Sequence, residues 1–152
     1  MKRILVVVVM GLLFSVGAAV AQEHWTEGPV WVISFYRTEP GKFDDYLKYL
    51  RANAAVVFAE EKKQGLVLDS KIFVKAPSNP SDWDVAIATL QPSYGKALDF
   101  NQADSDKIKA IQAKYWKTGD EDKQREMSST RLAMRKLVGS DVVREVNLKP
   151  MP

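Results

Sequence analysis

Apolar and polar positions run along this chain in two rhythms, and the switches between them mark out its elements. Val30-Trp31-Val32-Ile33-Ser34-Phe35-Tyr36 alternates with a period of two, which puts Trp31, Ile33, Phe35 and Arg37 on one face and Val30, Val32, Ser34 and Tyr36 on the other. Both faces carry apolar side chains, so this run predicts a central strand covered on both sides. Glu39-Pro40-Gly41 punctuates it. Phe43, Tyr46, Leu47, Leu50, Ala54, Val57 and Phe58 then recur at helical steps, with Asp44, Asp45, Lys48, Arg51, Glu60 and Lys62 opposite, which predicts one long amphipathic helix. Asp44 and Asp45 in its first turn and Lys62-Lys63 in its last suit the helix dipole, and Gly65 is a natural stop.

A second strand follows over 66–74, with Leu66, Leu68, Ile72 and Val74 read as core. Val67, Asp69, Lys71, Phe73 and Lys75 form its mixed face. The loop Ala76-Pro77-Ser78-Asn79-Pro80-Ser81 leads into a third strand over 83–90, antiparallel to the second. After Gln91-Pro92-Ser93-Tyr94-Gly95 a helical region is expected over 96–117, interrupted by Thr118-Gly119-Asp120. A further helix from Glu121 to about Val138 is expected to bury Met127, Thr130, Met134 and Leu137, and a last strand runs over 141–148. The order is β-α-β-β-α-β with an enlarged second helical section, which predicts an α+β, ferredoxin-like domain over 29–149 with a four-stranded antiparallel sheet. Helices on one face leave the other open, and its aromatic residues predict a homodimer packed across it.

The first 21 residues change where that domain is placed. Lys2-Arg3, the apolar run over 4–20 and Ala19-Val20-Ala21 before Gln22 have the form of a cleavable signal peptide, cut after Ala21. The hydrophobic run is at the short end for a membrane span. The expected location is the periplasm or the secreted fraction, with 22–28 as a flexible lead-in. Cleavage takes Lys2 and Arg3 from the 22 basic residues and leaves the 19 acidic ones, a net charge of +1. That near-neutrality argues against nucleic acid or an acidic membrane surface as a partner. The chain has no cysteine, so neither a lipid anchor nor a disulfide is available and core packing must hold the exported domain together.

The order of elements, the Pro40-Gly41 opening of a Tyr- and Leu-rich helix and the Gly65-led second strand resemble the dimeric α/β-barrel superfamily. That group includes small monooxygenases, haem-degrading enzymes, isomerases and stress-response proteins. The resemblance implies a homodimer with a cavity between sheet and helices, and does not choose among those activities.

Candidate chemistry is sparse. Haem-binding relatives use a histidine in the domain, whereas the one histidine here, His24, lies in the lead-in. Its position and the lack of cysteine also argue against zinc. Asp82-Trp83-Asp84 and Asp104-Ser105-Asp106 have the residue type for a hard cation, but neither continues into a calcium loop, and helix-capping or loop roles account for them. No cofactor is therefore expected. Without Cys, Gly-x-Ser-x-Gly or a placed His, the usual nucleophilic triads cannot be assembled, and no catalytic residue is named.

Asp69 and Lys71 stand out as charges on a sheet face that a dimer would cover. Trp31, Phe35, Trp83 and Tyr94 could line an apolar pocket, with Arg37 orienting an anionic group; the rival reading makes these aromatics core or dimer interface. The leading expectation is an exported small-ligand-binding or stress-associated protein with an apolar cavity for a small hydrophobic ligand. The alternatives are a cofactor-independent monooxygenase or isomerase using Asp69, Lys71, Arg37 or a tyrosine, and a structural homodimer without ligand.

Overall fold

The computed structural model describes residues 24–151. The signal peptide expected over 1–21 lies outside the described residues. The strands are β1 (Trp25–Thr38), β2 (Asp69–Val74), β3 (Val85–Gln91) and β4 (Arg135–Leu148). The helices are α1 (Phe43–Tyr49), α2 (Ala55–Lys63), α3 (Tyr94–Leu98), α4 (Gln102–Trp116) and α5 (Glu121–Leu132). The strands form one antiparallel sheet in the order β2-β3-β1-β4, an α+β arrangement compatible with a ferredoxin-like fold. Both helical sections are subdivided, so the order departs from a simple β-α-β-β-α-β. None of the described helices is long and apolar enough to cross a membrane.

Two glycines work as the sequence requires. Glu39-Pro40-Gly41-Lys42 closes a tight turn, with the Lys42 N–H on the Glu39 carbonyl (2.9 Å) and Gly41 at φ +75°, the conformation position three of a type II turn demands. Gly65, at φ +70°, ends α2 in a Schellman motif: its N–H bonds the Lys62 carbonyl (3.1 Å) and that of Leu66 bonds the Glu61 carbonyl (2.9 Å).

Several boundaries differ from the sequence expectation, each for a physical reason. The single long helix is broken by a π-helical turn over Leu50–Ala54, where the Asn53 side-chain amide donates to the Tyr49 carbonyl (3.0 Å) and so intrudes on the backbone ladder. The helix expected over 96–117 is two helices, because Asn101 caps a fresh start by accepting from the Asp104 N–H (3.0 Å). α5 stops at Leu132 and β4 begins at Arg135, since pairing with the whole length of β1 overrides the helical pattern there. Leu137 is therefore an exposed strand residue and Thr130 an exposed helical one, where both were expected to be buried. β2 starts only at Asp69; Leu66 and Val67 are buried ahead of it, whereas Leu68, Ile72 and Val74 on this edge strand are exposed. β1 starts at Trp25, so residues 25–27 of the expected lead-in pair with β4.

The register separates the two faces of the sheet. Tyr46 and Leu50 pack on Val85 and Ile87 of β3, whose direct neighbours on β1 are Tyr36 and Ser34; this is the helix-covered face. The second cluster, Val57, Leu66 and Ile111, joins α2 to α4. The opposite face carries three rows across the sheet: Asp69-Leu90-Trp31-Val143, Lys71-Ala88-Ile33-Asp141 and Phe73-Ala86-Phe35-Gly139. Its alanines are buried under larger neighbours, but Phe73 and Val143 remain 46% and 44% exposed.

Candidate functional site

Between the helical layer and the covered face of the sheet lies a cavity of about 190 Å³. α1 and the π turn supply Tyr46, Tyr49, Leu50, Asn53 and Ala54. α2 adds Val57, Phe58 and Glu61, and the sheet provides Tyr36, Ile87 and Arg135 as the floor. Gln112 and Trp116 of α4 and Arg131 of α5 complete it. The π turn contributes to the wall directly, and such turns concentrate at functional sites because they displace side chains from the regular helical stripe.

Polar groups in this cavity lack protein partners. The Tyr46 side chain is fully buried, and its hydroxyl makes no hydrogen bond. Burial holds its pKa well above the ordinary phenol value, although Arg135 and Arg131 pull the other way. The Nε atoms of Arg131 and Arg135 are likewise buried without partners. Arg135 is 8% exposed, and its guanidinium lies over the Tyr36 ring (3.2 Å to the ring centre) and near the Tyr46 ring (5.3 Å). Among the described residues no carboxylate lies within ion-pair distance of either arginine. Stacking on the rings offsets part of the cost of burying a charge, about 2 kcal/mol when desolvated. It does not supply the hydrogen-bond acceptors that a buried guanidinium seeks.

Glu61 is the acid of the site. It is 7% exposed, and burial pushes its pKa above the ordinary carboxylate value. The cavity is thus lined by two arginines and by one carboxyl, Glu61, that forms no ion pair with either.

The residues expected from sequence are distributed over three other places. On the open face the Trp31 indole N–H donates to Glu145 Oε1 (2.5 Å), and the Lys71 ammonium stands 5.0 Å from the Trp31 ring centre. Phe35 packs on Trp83 with ring centres 5.2 Å apart, and Lys75 caps the same indole at 4.5 Å. Asp69 pairs with Lys62 (2.8 Å), whose hydrogen bond lowers its pKa, and not with Lys71. Arg37 lines a solvent-open hollow beside Lys75, Asp84 and Lys136, its Nη1 buried without a partner. Tyr94 lies under the Arg144 guanidinium (4.4 Å).

The acidic pairs serve structure. Asp82 is held by Lys75 (2.7 Å) and Ser78, which keep its carboxyl well below the usual range. Buried Asp84 accepts from the N–H (3.0 Å) and hydroxyl (2.5 Å) of Thr38, while Asp104 pairs with Lys96 and Asp106 with Gln102 (2.8 Å).

Sequence reasoning missed the cavity residues. One signal was present: the stripe Leu50, Ala54, Val57 continues one turn on to Glu61, an acid on a buried face. Arg135 was concealed by the helix expected through that stretch. The chain matches no protein-family model, and comparison with curated proteins finds no match either.

Proposed function

We propose that the protein is an exported small-ligand-binding protein whose ligand occupies the cavity between the helices and the sheet. One observation carries this reading: Tyr46, Arg131 and Arg135 line one cavity, and each has a buried side-chain polar atom, the Tyr46 hydroxyl or an arginine Nε, without a protein partner. Native interiors pair their buried polar atoms, so unpaired ones on residues that line a single cavity support a ligand-binding role for it. A volume near 190 Å³ suits a single-ring molecule, since an apolar cavity of about 150 Å³ holds benzene. The test is native mass spectrometry of protein purified from an exporting host, beside Ala54→Phe, which fills the cavity. A bound small molecule in the parent that is missing from the variant supports the reading; the same adduct on both, or none on either, sinks it.

The proposal includes the finer fold reading, a ferredoxin-like domain of the dimeric α/β-barrel type paired through its open face, and export by cleavage after Ala21. Charge placement supports the pairing. A twofold axis along the strands sets the β2 edge of one copy over the β4 edge of the other, so Lys71 meets Asp141 of the second copy and Phe73 meets Gly139, within the roughly 30° offset of aligned sheets. In this arrangement Trp31, Phe35, Lys71 and Trp83 serve the interface. Sedimentation should give a dimer for the parent, a monomer for Asp141→Lys, and a dimer again for Asp141→Lys with Lys71→Asp. A second functional reading, cofactor-independent oxygenation or isomerisation, is favoured by Glu61, a buried carboxyl held towards its protonated form within the same cavity. Turnover lost in Glu61→Gln with ligand retention intact would select it.

A further inference from the structure

We infer that the cavity takes a single-ring aromatic carboxylate, its anionic group on Arg131 and Arg135 and its ring among the aromatic side chains. The inference rests on the ligand-binding reading and names the class of ligand.

The argument starts from charge. Arg131 and Arg135 come from different elements, α5 and β4, yet line one cavity, and the charge of Arg131 acts on Arg135. Two guanidiniums brought together repel one another, and folding tolerates this only if something offsets it. The rings of Tyr36 and Tyr46 offset part for Arg135. Glu61 lines the same cavity but forms no ion pair with either arginine. Water in the cavity would leave the two cations uncompensated. An anion answers both cations at once, since a carboxylate accepts from guanidinium forks.

Size and lining narrow the anion further. About 190 Å³ admits one ring with a short substituent. Tyr49, Phe58 and Trp116 also line the cavity, so the ring of a ligand held there meets aromatic surface.

The test is isothermal titration calorimetry at neutral pH with benzoate and with benzamide, which has the same shape but no charge. Benzoate should bind the parent at least tenfold more tightly than benzamide. Arg131→Met, at a half-buried helix position that leaves the sheet intact, should bind the two about equally, and Arg135→Lys, which keeps the charge but loses the fork, should retain only part of the preference. Equal binding of both probes to the parent, or an undiminished preference in Arg131→Met, would overturn the inference. Benzamide binding with benzoate rejected overturns it while leaving the ligand-binding reading standing. Neither probe binding, with no adduct in native mass spectrometry, overturns both.

Discussion

The Arg135 guanidinium lies over the Tyr36 ring, 3.2 Å from its centre, on adjacent strands, with no carboxylate within ion-pair distance among the described residues. A buried charge without an anion makes a poor stabiliser, and replacing such a group by an apolar one of similar volume is often neutral or better. Arg135→Met should therefore leave the unfolding free energy within about 1 kcal/mol of the parent, or raise it, in urea titrations without ligand. A loss above about 3 kcal/mol would mean that the ring contacts outweigh the desolvation.

Tyr46→Phe follows the same logic on a neutral group. Its hydroxyl is buried without a partner, a cost of about 1–3 kcal/mol that the phenylalanine avoids while filling the same volume. The variant should be more stable by about 1 kcal/mol, read as a higher urea midpoint at unchanged slope, and should hold benzoate less tightly.

Glu61 gives the protein a pH signature. Burial raises its folded pKa above the ordinary 4.5, so the folded state binds more protons than the unfolded one between those two values. Stability from this group is fully present below pH 4.5 and is lost as pH rises through the folded pKa. Glu61→Gln should match the parent in acid and become the more stable of the two as the pH is raised. Parallel melting curves at every pH would show that Glu61 ionises without penalty.

Thr38 and Asp84 tie the end of β1 to the start of β3 through two hydrogen bonds shielded from water. Asp84→Ala leaves the Thr38 N–H and hydroxyl buried without acceptors, at a cost of about 3 kcal/mol. Thr38→Val removes one donor only and should cost less, and a double-mutant cycle should return a coupling above about 1 kcal/mol.

At Gly65 the space beside the α-carbon is open, so the penalty of a side chain is purely conformational. Gly65→Ala should destabilise by about 1 kcal/mol through its positive φ, checked by urea denaturation.

What the sequence made legible follows from how local each cause is. The turn at Pro40-Gly41, the stop at Gly65, the two-faced pattern of Trp31 to Tyr36 and the antiparallel, four-stranded α+β organisation all rest on neighbours a few residues apart, and these carried through. Leu137 and Ile72 misled because an edge position exposes residues that periodicity alone assigns to the core. The cavity was least legible of all. Arg135 acquires its meaning from Tyr36, Tyr46 and Arg131 at once, a meeting of β1, α1, α5 and β4 that no window of sequence contains. Asp69 drew notice as a charge beside Lys71, whereas its actual partner is Lys62 at the end of α2.

β4 is an edge strand of 14 residues, long enough to act as a template on which other chains could add strands without limit. Two irregularities keep it from serving as one. At Gly28-Pro29 β1 carries an extra residue against β4, and at Val138 β4 carries one against β1, so the pairing shifts register twice along its length. Lys136, Asp141, Arg144 and Glu145 stud what remains. A neighbouring chain that began to pair along this edge would lose step within a few residues and meet charge as it did so. The bulges that shape the sheet are thus also a guard against fibril growth.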